Sequence, residues 1–324
     1  MNLPGEKRAR HSFILLEALA SLSVLSLIVA GITTGAIAVM ETGNYVADAA
    51  AAQDRADQVF SMLKLPADFC GYGMPRSAEL YQEAFAHAER RAPFDWDGVI
   101  SVTDSQMKNG GVRKNGKCRI VYGIQYNNRI MDSAVISDEI FKIRVIGNKA
   151  RLDLLKPVET PYRPKTVKNW VLCGSALPSA CPMWLSGDMK ESGSATILNL
   201  VWNKAGSLEA EITIHKNDYL FYMDAIECEV NIKDGGEEIF YIKDMREGAW
   251  QPRERGVIDA RFALDPGRRM LRVLLLVRGD RRYDQIKTKD TPPGWPQEYA
   301  PDITPAARHY RLFTFAESFE LKNI

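Results

Sequence analysis

The residues able to carry covalent or metal chemistry in this 324-residue chain are few and scattered. Four histidines, His11, His87, His215 and His309, stand far apart, which removes most short-spaced zinc and haem signatures. Asp224, Glu227, Glu229, Asp234, Glu237 and Glu238 offer the oxygen atoms that calcium takes, but their spacing follows no EF-hand loop, so no metal is expected. The patterns G-x-S-x-G, H-E-x-x-H, the phosphate loop and G-x-G-x-x-G do not occur. No catalytic residue and no cofactor are therefore assigned, and the chain reads as a non-enzyme.

Five cysteines remain, at positions 70, 118, 173, 181 and 228. Cys173 and Cys181 flank GSALPSA, a loop short enough to close easily, so a bridge between them is expected if this region lies in an oxidising compartment. Cys70 with Cys118 is the second pairing considered. One cysteine is odd in any monomeric scheme, and the other reading for each is a buried thiol packed as a small hydrophobe. Arg278-Gly279-Asp280 spells an integrin-binding tripeptide but reads as a hairpin turn after a strand. The basic group Arg268, Arg269, Arg272, Arg278, Arg281 and Arg282 reads as a solvated sheet edge that resists aggregation, the other reading being a surface for an acidic partner face.

The elements that must position these residues fall into two unlike regions. Forty-two Lys and Arg against forty-one Asp and Glu leave a net charge of +1, too little field to capture nucleic acid or an anionic membrane. Composition, 46% hydrophobic and 26% charged, is that of an ordinary globular protein. Yet Phe13 to Met40 reads FILLEALASLSVLSLIVAGITTGAIAVM, with Glu17 as its single charge. Ala18 to Met40 alone gives 23 uncharged residues, about 35 Å of helix, enough for a hydrocarbon core of about 30 Å. Lys7, Arg8 and Arg10 precede it and Glu41, Asp48, Asp54 and Asp57 follow it, so the positive-inside rule places the N-terminus in the cytoplasm and the remainder outside. A cleaved secretory signal with Ala36-Ile37-Ala38 as its site is one alternative, although the apolar run is longer than such signals use. A plain signal anchor is another, and it explains everything but Glu17. A carboxylate within a span costs about 2.5–3.5 kcal/mol on insertion scales, so it asks for a partner.

Beyond Met40 the helix is expected to continue. Val46, Ala49, Ala52, Ala56, Val59, Phe60 and Leu63 recur at three- and four-residue steps, a narrow apolar stripe, and Pro66 is expected to end it. The result is one helix of roughly 52 residues, near 78 Å. Its Gly31 and Gly35, around Thr33-Thr34, are either a point of unwinding or an aid to close helix packing.

Arg8 to Glu17, RARHSFILLE, resembles the class III signal of type IV prepilins and pseudopilins. That pattern is a basic leader, a small residue, Phe, three apolar residues and Glu, all opening a long apolar helix. The resemblance implies cleavage by a prepilin peptidase between Ser12 and Phe13 and N-methylation of Phe13. It also implies that Glu17 is a subunit-assembly carboxylate, pairing with a free N-terminal amine when the subunit enters a filament. Ser12 stands where Gly is usual.

After Asp68 the signals are strands: Arg119 to Tyr126, Glu139 to Ile146, Thr196 to Trp202, Glu211 to Ile214, Tyr219 to Tyr222, Glu229 to Ile232, Glu238 to Ile242, Leu271 to Val277 and Tyr310 to Phe315. Lys216-Asn217-Asp218 and Asp234-Gly235-Gly236 read as hairpin turns, Leu80 to Arg91 as a short helix, and Asp290 to Pro305, with five prolines, as a surface loop. Cys70-Gly71-Tyr72-Gly73, Ser137 to Arg144, Arg272 to Arg278, Tyr310 to Thr314 and Glu320 to Asn323 are similar, in order, to the landmarks of PilW-type minor pilins. Lys322 stands where Arg is commoner.

The expected fold is α+β and pilin-like, one long N-terminal helix packed on a mostly antiparallel sheet. Residues 1–12 form a leader, 13–40 the transmembrane part, 41–65 the amphipathic part, and 66–324 a periplasmic head. The resemblance implies a structural minor pilin of a type IV pilus, in an initiation or tip complex. Its partners would be other minor pilins, the major pilin, the prepilin peptidase, the inner-membrane assembly platform and a tip adhesin, with residence in the inner membrane and then the pilus. The alternatives are a minor pseudopilin of a type II secretion system and, from another class, a signal-anchored periplasmic enzyme or receptor.

Overall fold

A computed structural model describes residues 5–75, 77–85, 95–104, 116–124, 141–146, 149–153, 170–173, 184–185, 190–192, 195–201, 209–214, 219–232, 237–244, 248–288, 292–296 and 303–324. The fold is α+β. Helix α1 runs over Gly5–Asp68 without a break, and helix α2 over Ala78–Phe85. The strands are β1 Ile100–Asp104, β2 Gly116–Ile124, β3 Phe141–Ile146, β4 Lys149–Asp153, β5 Trp170–Cys173, β6 Trp184–Leu185, β7 Lys190–Ser192, β8 Ala195–Val201, β9 Glu209–Ile214, β10 Tyr219–Ile232, β11 Glu238–Asp244, β12 Trp250–Arg255, β13 Val257–Asp265, β14 Met270–Arg278 and β15 Leu312–Glu320.

These strands make three antiparallel sheets. The first has the order β1-β2-β10-β11-β12 with β5 beside β10, the second β13-β14-β15, and the third β6-β8-β4-β3-β9 with β7 beside β8. Because β2 and β10 are neighbours in the first sheet, the whole third sheet is an excursion between them. The second half of α1 packs across β15, β14, β12 and β2, so it closes over the first two sheets together. Ala52, Ala56, Val59 and Leu63 are fully buried there, in one core with Cys118, Ile120, Phe240, Leu271 and Leu275.

The run Leu274 to Val277 carries no alternation because β14 is covered on both faces. One face meets α1, and on the other Leu276 packs with Ile258, Trp295, Ile303, Ala307 and Leu312.

Several expectations are corrected. Pro66 does not end α1, since it lies in the last turn, where its missing N–H removes a single hydrogen bond. Val46 is exposed, which shortens the stripe at its upper end. Tyr219–Tyr222 and Glu229–Ile232 are two ends of one strand, β10. The polar residues between them are paired: Asp224 accepts from the Tyr122 hydroxyl at 3.1 Å and Glu227 from Arg119 Nε at 3.1 Å. β9 and β10 lie in different sheets and form no hairpin, whereas β10 and β11 do pair, with Ile232 opposite Glu238. The turn residues 216–218 and 234–236 lie outside the described residues.

The basic group is not one sheet edge: Arg272 and Arg278 lie on β14, the central strand of its sheet, Arg268 and Arg269 in the turn before it, and Arg281 and Arg282 beyond its end. β1, β4, β5, β6, β7, β12 and β13 are strands that the sequence reading does not include. β12 contains Pro252, tolerated at an edge beside a register shift between Phe240 and Tyr241, and β13 hides a buried Arg261–Asp259 ion pair at 2.9 Å.

Candidate functional site

Two features stand apart from the core: the free half of α1 and the place where its other half is seated. From Leu16 to Met40 every residue is exposed, among them Leu19, Leu22, Leu25, Leu27, Ile28, Ile32, Ile37 and Val39. The described helix Leu16–Asp68 has 53 residues and is long and apolar enough to cross a membrane. Five of the hydroxyls along α1 are turned inward on its own backbone. The hydroxyls of Ser23, Ser26, Thr33, Thr34 and Thr42 each donate to the carbonyl four residues before, at 2.8–2.9 Å. That is the arrangement hydrocarbon demands, since no water is there to take an unmade hydrogen bond. Thr33 and Thr34 bond in this way between Gly31 and Gly35, where α1 remains helical. Glu17 is exposed one turn into this apolar half. Ser12 and Phe13 lie on α1 in the backbone, and their side chains are outside the described residues.

The seat is built on a charge. Asp48 falls on the buried side of α1 with Ala52, Arg55, Ala56 and Val59, and it is 2% exposed. The backbone N–H of Arg281 donates to Asp48 Oδ1 at 3.0 Å, and the Tyr283 hydroxyl to Oδ2 at 2.6 Å. Arg311 Nη1 completes the set as an ion partner at 3.7 Å, its guanidinium lying 4.9 Å from the Tyr283 ring and 5.5 Å from the Tyr45 ring. Burial and the hydrogen bond to Asp48 push the Tyr283 phenol up from its ordinary value. About two turns further on, Arg55 Nη1 donates to the carbonyl of Arg278 at 2.7 Å, and Arg55 also pairs with Asp280 and, at 3.7 Å, with Glu254. Burial raises the Glu254 carboxyl, against the pull of Arg55. A carboxylate held by two hydrogen bonds and a nearby guanidinium is a strong clamp, because each hydrogen bond to a charge counts for about 1.5–3 kcal/mol.

Gly279 makes the approach possible. A Cβ there would lie 2.6 Å from Asp48 Cβ, so any side chain would push the segment 278–283 off the helix. Arg278-Gly279-Asp280 is thus no hairpin turn but a collar on α1, secured by the Gly279 N–H donating to the Arg311 carbonyl at 2.8 Å.

The lower end of α1 is tied as well. Gly71, at φ 69°, turns the chain out of the helix, and its N–H donates to the Val121 carbonyl at 3.0 Å. Asn323 Nδ2 donates to the Asp68 carbonyl at 3.4 Å, and Leu321 is fully buried. Cys70 to Gly73, Arg272 to Arg278, Tyr310 to Thr314 and Glu320 to Asn323 therefore all gather round one half of α1. Of Ser137 to Arg144 the described part, Phe141 to Arg144, lies in β3 of the third sheet.

Cys70, Cys118 and Cys228 are buried thiols in this structure, and the placement of Cys70 does not suit a bond to Cys118. Cys70 stands opposite Tyr122, four residues along β2 from Cys118, about 13 Å of strand against a reach of about 7 Å between disulfide Cα atoms. Burial pushes the Cys70 thiol up to about 12. The Cys173–Cys181 pair lies outside the described residues.

Of the acidic group on β10 and β11, Glu227 and Glu229 meet Arg119 and Lys117, Glu237 meets Arg255 and Arg278, and Glu238 bonds Thr304. Among the described residues no group of three His, Cys, Asp or Glu side chains is placed to hold a metal ion. The residues that sequence reasoning missed are Asp48, Arg55, Tyr283 and Arg311. The signal for the first two was present, since 48, 52, 55, 56 and 59 fall on one helical face and put charges on the apolar stripe.

No family model matches the chain, and neither a curated protein nor a solved structure is significantly similar to it.

Proposed function

We propose that the chain is a structural minor pilin of the type IV kind, with a pilin-like fold. It is held in the inner membrane by the first half of α1 with its N-terminus in the cytoplasm, then drawn into a filament. The observation that supports this reading best is α1 itself: one unbroken helix, exposed and apolar from Leu16 to Met40 except for Glu17, and clamped to a β head through its second half. A tether for an enzyme needs neither the charge nor the continuity. A filament subunit uses both, because a rigid stem transmits the position of the head to the bundle, and a buried carboxylate selects a neighbour by its free amine. Prepilin peptidase cuts between Ser12 and Phe13, and Phe13 is then N-methylated. The partners are other minor pilins, the major pilin, the inner-membrane assembly platform and a tip adhesin, in an initiation or tip complex.

Intact-mass measurement on membrane-derived protein from cells carrying a prepilin peptidase tests the processing step. The expected mass is that of a chain beginning at Phe13. Retention of Met1, or a start at Val39, contradicts the reading.

A further inference from the structure

We propose that Cys118 and Cys228 are a disulfide-forming pair, a covalent clasp between β2 and β10 at the base of the third sheet. The two residues stand directly opposite one another in the antiparallel β2–β10 ladder, so their side chains leave the sheet on the same face. Opposed residues of such a ladder have Cα atoms about 4.5–5.5 Å apart, inside the range of about 4.4–6.8 Å that a disulfide spans. Both side chains are fully buried, and the Cys228 thiol donates to the Cys118 carbonyl at 3.4 Å.

The Cys118 thiol is held in turn by a hydrogen bond to the Cys228 sulfur, which with burial pushes it well up. Both sulfurs are fully buried, so in the folded head the pair is closed to thiol and disulfide reagents alike. The bond is therefore made before β10 closes on β2 and is shielded from reductants afterwards. Cys70, out of reach of Cys118, takes no part in the clasp.

The oxidant is a protein or small-molecule disulfide. The Cys118 thiolate attacks one of its sulfurs, and the Cys228 thiolate resolves the mixed disulfide. One S–S bond forms in the head, and the acceptor leaves as two thiols carrying both electrons and both protons. The sequence separation is 110 residues and contains β3 to β9, so the clasp fixes the two ends of that excursion together. A loop this long gives a large entropic effect in the chain-entropy model, and losing the bond should lower the thermal midpoint by roughly 10 °C.

The proposal rests on the reading that the head lies outside the cytoplasm, and the test separates the two. Full-length protein in membranes is denatured with an alkylating agent and mapped by non-reducing peptide mass spectrometry, while protease accessibility of the head is read in spheroplasts of the same cells. The expected result is an accessible head and a Cys118 peptide linked to a Cys228 peptide, a link that Cys70→Ala leaves intact. An accessible head in which either thiol is alkylated, or bonded elsewhere, overturns the pairing. A protected head overturns the location instead. The pairing is then judged on full-length protein refolded with oxidised and reduced glutathione, where a Cys118–Cys228 link upholds it and any other result overturns it.

Discussion

The two halves of α1 differ in what surrounds them far more than in their backbone. From Leu16 to Met40 no side chain is buried, whereas from Asp48 to Ala67 a stripe of Ala52, Ala56, Val59 and Leu63 is wholly inside the head. Mean apolarity runs the opposite way, the exposed half being the more hydrophobic. A helix that is apolar all round and uncovered requires a non-aqueous solvent, while a narrow stripe of small residues lets two sheets approach closely. The comparison teaches that small apolar residues alone do not seat the second half. Its upper end is fixed by a buried charge, and Asp48 is the boundary at which lipid-type chemistry gives way to protein packing.

Removing that charge is the strongest way to break the contrast. Asp48→Ala leaves the Arg311 guanidinium facing Tyr283 without its anion, a loss on the order of 3–5 kcal/mol for one side of a buried pair. The thermal midpoint of the detergent-solubilised full chain should fall by about 10 °C while its level in the membrane is unchanged. An unchanged midpoint would mean that apolar packing holds α1 by itself.

Tyr283 sharpens the same boundary more gently, and its titration sets a direction. The phenol is raised from its ordinary value of 10.0 in the folded protein. Its contribution is therefore fully present below pH about 10 and is lost as pH rises through the raised value, when a phenolate would face Asp48. Absorbance of tyrosinate alongside limited proteolysis between pH 9 and 12 follows both events. In Tyr283→Phe the alkaline step in proteolysis should disappear, with a loss at neutral pH of about 1 kcal/mol, read from denaturant midpoints.

The α+β class, the continuity of α1 past Met40, most of the stripe and the β10–β11 hairpin were legible because each rests on local periodicity or turn chemistry. The seat was not. Asp48 finds its partners at 281, 283 and 311, more than 230 residues away, and no spacing along the chain announces such a meeting. Asp224 and Glu227 misled for a related reason. Alone they break a strand pattern, but across the ladder Tyr122 and Arg119 satisfy them, and β10 runs on. Cys118 and Cys228 were likewise visible only as residue types until the register of β2 against β10 placed them opposite each other.

The central claim is that the exposed half of α1 is an assembly element and Glu17 its selector. The most direct measurement compares Glu17→Ala with wild type, in the membrane fraction and in sheared surface fibres from the same cells. Membrane insertion should be intact or improved, since about 2.5–3.5 kcal/mol of burial cost disappears. Fibre recovery should fall by two orders of magnitude or more, because a neighbour's amine loses its anion at about 3–5 kcal/mol. Equal recovery of Glu17→Ala and wild type in the fibre fraction would contradict the account.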